Sequence, residues 1–239
     1  MPDLRDYKAI FFDAGGTLLH PYPSVGQIYS EVAARYGDAV NPDAIQRGFH
    51  QAWLERDGLS GLASHASEKV ERAWWHQLVR EVFEKAGWKG DFEPFFTELY
   101  DIFARPEVWR LYPGTLEVLA TLKKRGHILG VVSNWDRRLF PLCEGLGLEN
   151  YFQFIIASAV FGAAKPSARI FQEALRRAGV APQEAIHVGD SLEDDVRGAQ
   201  GAGLDAILIN RHPERQALQV EQLRGVCVIH DLNELVSGG

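Results

Sequence analysis

Six short apolar runs, each stopping at a polar residue, restrict this chain more than any other feature. They are "AIFF" ahead of Asp13, "HILGVVSN" ending at Asn134, "FQFIIAS" ending at Ser158, "AIHVGD" ending at Asp190, "DAILIN" ending at Asn210 and "GVCVIH" ending at His230. Runs of about four to eight residues, apolar on both faces, suit strands that are covered on both sides. Amphipathic segments such as "TLEVLATLKKRG" and "ARIFQEALRRAG" stand between them and supply the crossovers that a parallel sheet requires. An α/β fold with a parallel sheet is the expectation.

Between the first run and the second, from about residue 24 to 107, the sequence predicts only helices: "GQIYSEVAARYG", "PDAIQRGFHQAWLER", "SEKVERAWWHQLVREVFEKAG" and "DFEPFFTELYDIFAR". In the third, Val70, Trp74, Leu78, Val82 and Ala86 recur every four residues, as one apolar helical stripe would. Residues 21–107 are therefore expected to form a helical insertion in a sheet domain made of 1–20 and 108–239. The insertion and its exit hold five of the six tryptophans, at 53, 74, 75, 88 and 109. These either build the core of the insertion or, in part, close over a ligand.

A chain of 239 residues with 46% hydrophobic residues can bury a sizeable core, as one large domain or two smaller ones. Its net charge of −7 argues against nucleic acid or an anionic membrane surface as the main partner. No segment approaches the ~18 apolar residues of a membrane helix, and the N-terminus lacks a signal-peptide pattern. Cys143 and Cys227 lie far apart without metal-ligand spacing, so buried thiols and a cytoplasmic location are expected. The chain is expected to act as a monomer or homodimer.

In open parallel sheets, ligands sit beyond the carboxyl ends of the strands. The first strand delivers Asp13, the second Ser133 and Asn134, the loop after the third Lys165, and the fourth Asp190. Asp13 suits a nucleophile that attacks phosphorus or carbon. Ser133 can donate its hydroxyl to a transferring oxygen, beside the backbone N–H groups of the glycine-rich loop at Gly16 and Thr17. Lys165 supplies the cation that holds two anions together, and Asp190 with Asp13 makes a hard oxygen pocket suited to Mg²⁺.

Four segments, "FFDAGGTLL", "VVSN", Lys165 in "AAKPSARIFQEAL" and "HVGDSLEDDVRGAQGAG", together resemble the motifs of the haloacid dehalogenase-like (HAD) hydrolase superfamily. The resemblance implies a Rossmann-like core with an inserted α-helical cap, an aspartyl nucleophile at Asp13, and catalytic support from Ser133 and Lys165. It implies a Mg²⁺ site of Asp13, the Gly15 carbonyl, Asp190 and Asp195, with Glu193 and Asp194 as competitors for the outer acidic position. The partner it implies is a small phosphorylated metabolite.

Family phosphatases carry a second aspartate two positions after the nucleophile, where this chain has Gly15. That acid protonates the departing oxygen and then activates water, assistance worth about 10²- to 10⁴-fold, or about 3–5 kcal/mol. Without it, alkyl phosphates suffer most, and acyl phosphates, anhydrides, aryl phosphates or carbon-bound halides suffer least. Dehalogenase members also lack the second aspartate, and "DAGGTL" is similar to their "DAYGTL", whereas "GDSLEDD" resembles the metal-binding motif of phosphatases. His20, whose imidazole can give or take a proton, is a candidate substitute acid and substrate contact, as are Asn134 and Arg137 for substrate binding. A slow phosphohydrolase is the leading expectation, with a weakly active binding protein and a dehalogenase as alternatives.

Overall fold

A computed structural model describes residues 2–62, 65–211 and 223–237. In chain order its main elements are β1 (Ala9–Phe12), β2 (Leu19–Pro21), α1 (Val25–Ala33), α2 (Pro42–Glu55), α3 (Glu68–Lys85), α4 (Phe92–Ile102) and β3 (Trp109–Leu111). There follow α5 (Thr115–Lys124), β4 (Ile128–Ser133), α6 (Leu139–Gly145), β5 (Phe154–Ala157), α7 (Ser158–Phe161), α8 (Ala168–Ala178) and β6 (Ala185–Gly189). A π-helical segment, Leu192–Arg197, then leads into α9 (Gly198–Gly201), β7 (Asp205–Ile209) and β8 (Cys227–Ile229).

All six apolar runs form strands of one sheet in the order β5-β4-β1-β6-β7-β8, paired in parallel throughout. Alternation along β1 explains the two covered faces. Ile10 and Phe12 enter a core with Leu119, Leu122, Leu142 and Ile207, while Ala9 and Phe11 enter another with Ile170, Phe171, Leu204 and Leu208. Phe12 stands opposite Val131 on β4 and Val188 on β6. The carboxyl ends of these three strands therefore finish side by side, and the chain's strand order reverses there, where a crevice is expected.

The four helices α1 to α4 build their own core from Ile28, Val32, Ile45, Leu78, Val82, Phe83, Phe95 and Leu99. Ser24, Asn41 and Ser67 start three of them by accepting the N–H groups of Gln27, Ala44 and Val70. Trp53, Trp74, Trp75 and Trp88 pack on this core, with Trp53 and Trp74 rings 5.5 Å apart, while Trp109 is buried in the sheet domain. The stripe expected on α3 is corrected at both ends: Val70 and Ala86 are exposed, and Glu71, Leu78, Val79, Val82 and Phe83 are buried. A strict four-residue spacing rotates by about 40° per step against a 3.6-residue turn, so its ends leave the buried face.

Where the chain leaves and re-enters the sheet domain, β2 and β3 pair as an antiparallel ribbon, with His20 opposite Arg110. Both cysteines are free; Cys143 is buried, its thiol pushed up to about 12 by burial, and Cys227 is half-buried. No helix among the described residues is long and apolar enough to cross a membrane.

The helical module meets the sheet domain through the loop after β4. Arg138 donates to both Asp136 oxygens at 2.9 and 3.0 Å, lies 3.6 Å over the Tyr100 ring and donates to the Tyr100 carbonyl at 3.1 Å. Tyr100 donates its hydroxyl to Asp136, and Arg137 pairs with Glu68. Glu71, 2% exposed, sits against this cluster. Burial, and then the charge on Asp136, pushes its carboxyl up to about 8, with Arg138 opposing.

An unfolded glutamate ionises near its ordinary 4.5, so the unfolded state releases this proton first, and stability falls as pH rises from about 4.5 to about 8. Glu71→Gln removes that loss. In urea unfolding at a series of pH values, the variant should match the natural protein near pH 4.5 and exceed it by several kcal/mol, up to about 5, at pH 9. Parallel profiles would contradict this assignment.

Candidate active site

Asp13 follows β1 directly, and its N–H donates to the Val188 carbonyl of β6 at 2.9 Å, which aims it into the crevice. It is 8% exposed. The Lys165 ammonium, 2% exposed, donates to Asp13 Oδ1 at 2.7 Å and to Asp195 Oδ1 at 2.5 Å, and the Ser133 hydroxyl lies beside Asp13 and favours its charged form. Asn134 clamps the lysine backbone: its Oδ1 accepts the Lys165 N–H at 2.7 Å, and its Nδ2 donates to the Lys165 carbonyl at 3.0 Å. The amide of Asn134 thus positions Lys165.

Asp195 comes from the π-helical segment, a wide turn that concentrates at functional sites. Its Oδ1 also lies 2.8 Å from His187 Nε2, and its Oδ2 accepts the Ser191 N–H at 2.9 Å. A Cβ on Gly189 would lie 2.1 Å from the Asp195 carboxyl carbon, so only glycine lets that carboxyl approach the end of β6. Gly16 serves Asp190 in the same way. Its φ is +74°, and a Cβ there would lie 2.2 Å from Asp190 Oδ2.

Oxygens of Asp13, Asp190 and Asp195 all lie within 4.8 Å of one another. Burial opposes a charge on Lys165, but Asp13 and Asp195 beside it raise its pKa above the ordinary lysine value. Burial equally opposes a charge on Asp195, yet Lys165 and His187 hold it below the usual carboxylate range. The remaining acids are pushed up. Asp13 is raised by burial and then by Asp195, against the pull of Lys165 and Ser133. Asp190 is raised well above its ordinary value by burial, then by Asp13 and Asp195. Asp194 is pushed up to about 6 by burial; the Ser60 hydroxyl of the helical module reaches it, and its Oδ1 is buried without a hydrogen-bond partner.

Hard oxygen donors with more negative charge than one ammonium neutralises fit a divalent cation. Of the three acids in the fourth motif, Asp195 joins the cluster, Asp194 lies beside it, and Glu193 is exposed.

The other residues singled out in the sequence are placed as follows. Thr17 is fully buried, its hydroxyl without a partner and its carbonyl accepting from Arg211 at 2.7 Å. His20 lies on the ribbon, its Nδ1 3.0 Å from the Pro21 carbonyl and its ring 4.7 Å from that of Tyr112. Arg137 is exposed and engaged with Glu68. His187 and Trp135 escaped the sequence reading. His187 left one signal, a polar residue inside an apolar strand, which must find a partner when buried.

A family model for haloacid dehalogenase-like hydrolases matches residues 7–203. Among curated relatives, the haloacid dehalogenase-like hydrolase domain-containing protein 3 of Homo sapiens is 36% identical over 211 residues, covering 84% of this chain and 81% of that protein. Among solved structures, a HAD phosphatase from Thermococcus onnurineus is similar with a TM-score of 0.65 at 28% identity, covering 97% of this chain and 98% of its own. A 2-haloacid dehalogenase from Pseudomonas syringae pv. Tomato DC3000 is similar with a TM-score of 0.60 at 27% identity, with coverage of 97% and 98%. With the parallel sheet, the four motif segments at its carboxyl edge and these matches together, the chain belongs to the haloacid dehalogenase-like hydrolase family.

Proposed function

We propose that this hydrolase is a Mg²⁺-dependent phosphohydrolase that acts on a small phosphorylated compound through Asp13 and is slow unless the leaving group is activated. The observation that carries the reading is the acidic cluster around Lys165. Three carboxylates gather there, the one buried ammonium pairs with only two of them, Asp13 and Asp195, and Asp13 and Asp190 are held above their ordinary range. The names of the relatives do not choose, because both a phosphatase and a dehalogenase stand among them. Charge supports the phosphatase reading: the excess of carboxylates offers a place for the divalent cation that an anionic phosphate ester needs to approach a carboxylate nucleophile.

Asp13, Asp190 and Asp195, with the Gly15 carbonyl, would hold Mg²⁺, which supplies the positive charge that keeps nucleophile and phosphoryl oxygens together. The Asp13 carboxylate attacks phosphorus, the P–O bond to the leaving group breaks, and an aspartyl phosphate forms. Lys165 stays beside Asp13 and offsets the charge that gathers there, and Ser133 fixes the carboxylate orientation. Water then attacks the same phosphorus and frees Asp13. Gly15 has no side chain to give or take the proton in either half, so the departing oxygen leaves as an anion or takes its proton from solvent. His20 and Arg137 are bound up on the ribbon and with Glu68.

A substrate panel tests the reading. Aryl phosphates should turn over at least about 10²-fold faster than alkyl phosphates, and equal rates would contradict it. A chelator or Asp13→Asn should abolish turnover, and persistence in either case would contradict the reading. Saturating Mg²⁺ should raise the melting temperature of the natural protein, since a ligand bound only to the folded state stabilises it. Asp190→Asn should lose that rise, and an undiminished rise would remove Asp190 from the site.

A further inference from the structure

We propose that Trp135 is a specificity-determining residue: the edge of its indole borders the room beside Gly15 where an acidic side chain would stand, and it offers a flat aromatic leaving group a wall to lie against. The inference rests on the phosphohydrolase reading above and names the class of substrate.

An ideal Cβ on Gly15 would lie 3.3 Å from Trp135 Cζ3, tighter than ordinary contact, so a side chain there makes the ring give by a few tenths of an ångström. The backbone does not explain the glycine. Gly16 takes a positive φ, whereas Gly15 does not. What stands against a side chain at position 15 is the indole. The main chain beneath it is held, since the Trp135 backbone N–H donates to Ser158 Oγ at 3.1 Å and its carbonyl accepts the Ala159 N–H at 3.1 Å, and the ring itself packs 5.1 Å from that of Trp109. Trp135 follows Ser133 and Asn134 directly and is only half-buried, so part of its surface remains open.

The two consequences of this exchange agree chemically. Losing the acid at position 15 demands a departing oxygen that is stable as an anion, and a phenolate spreads its charge over a ring. The ring that borders the acid's place favours an aromatic neighbour, by stacking or edge-to-face contact. An acyl phosphate or anhydride satisfies the first demand and not the second.

Calorimetric titration with phenylphosphonate and methylphosphonate at saturating Mg²⁺ tests the inference without turnover. The natural protein should bind phenylphosphonate at least about tenfold tighter than methylphosphonate. In Trp135→Leu that ratio should fall about fivefold or more, while Trp135→Phe keeps most of it. Gly15→Asp, which presses on the ring from the other side, should lower the ratio as well, and it remains informative if Trp135→Leu does not fold. A natural ratio within about twofold, no binding of phenylphosphonate, or a ratio unchanged in both Trp135→Leu and Gly15→Asp would overturn the proposal. Absence of Mg²⁺-dependent turnover with the ratio intact would contradict only the phosphohydrolase reading.

Discussion

The Lys165 ammonium, buried between Asp13 and Asp195, is the interaction on which the rest of the site depends. A lone ammonium at that depth would shed its proton, and lone carboxylates would take one up. Together Lys165 and Asp195 favour their charged forms, and Lys165 is tied to Asp13, 152 positions away at the end of β1, and to Asp195, 30 positions away. Asn134 secures the lysine backbone, while His187 and the Ser191 N–H secure Asp195. Removing one partner would leave an uncompensated buried charge, a cost of about 3–5 kcal/mol. The same pairs that orient the nucleophile therefore hold the carboxyl ends of the strands in register.

The cluster is also unbalanced. One ammonium cannot neutralise Asp13, Asp190 and Asp195, and the glycines at 16 and 189 let two of these carboxyls approach the backbone more closely than any side chain would permit. A divalent cation, as in the proposed function, would resolve the imbalance, and a phosphoryl group would bring oxygens that such a cation holds well. Gly15 pulls in another direction: the metal-binding charge is kept, and the proton donor is replaced by the edge of an indole. Chemistry at such a site is limited by the leaving group rather than by capture of phosphate.

Much of this was legible in the sequence because parallel strands buried on both faces must be written as apolar runs, and a crevice at their carboxyl ends must collect whatever polar residues end those runs. Asp13, Ser133, Lys165, Asp190 and Asp195 follow from that rule and from the four motifs. The β2–β3 ribbon was not legible, since three-residue strands leave no alternation to count. Asn134 was expected at the substrate and instead spends its amide on the Lys165 backbone, a contact across 31 positions that no local pattern records. Glu71 stands one position past the stripe that strict four-residue spacing marks, and nothing in that spacing shows it buried. Gly15 stood out as the missing acid, whereas Trp135 left no signal of its own; only the fold sets one against the other.

Reductive trapping of the aspartyl intermediate tests the central claim most directly. With no acid at position 15 to activate water, an intermediate formed from an acyl phosphate and Mg²⁺ should accumulate, and borohydride followed by peptide mass spectrometry should find it at Asp13 alone. Modification at Asp190 or Asp194, or turnover with no trapped adduct at Asp13, would contradict the account.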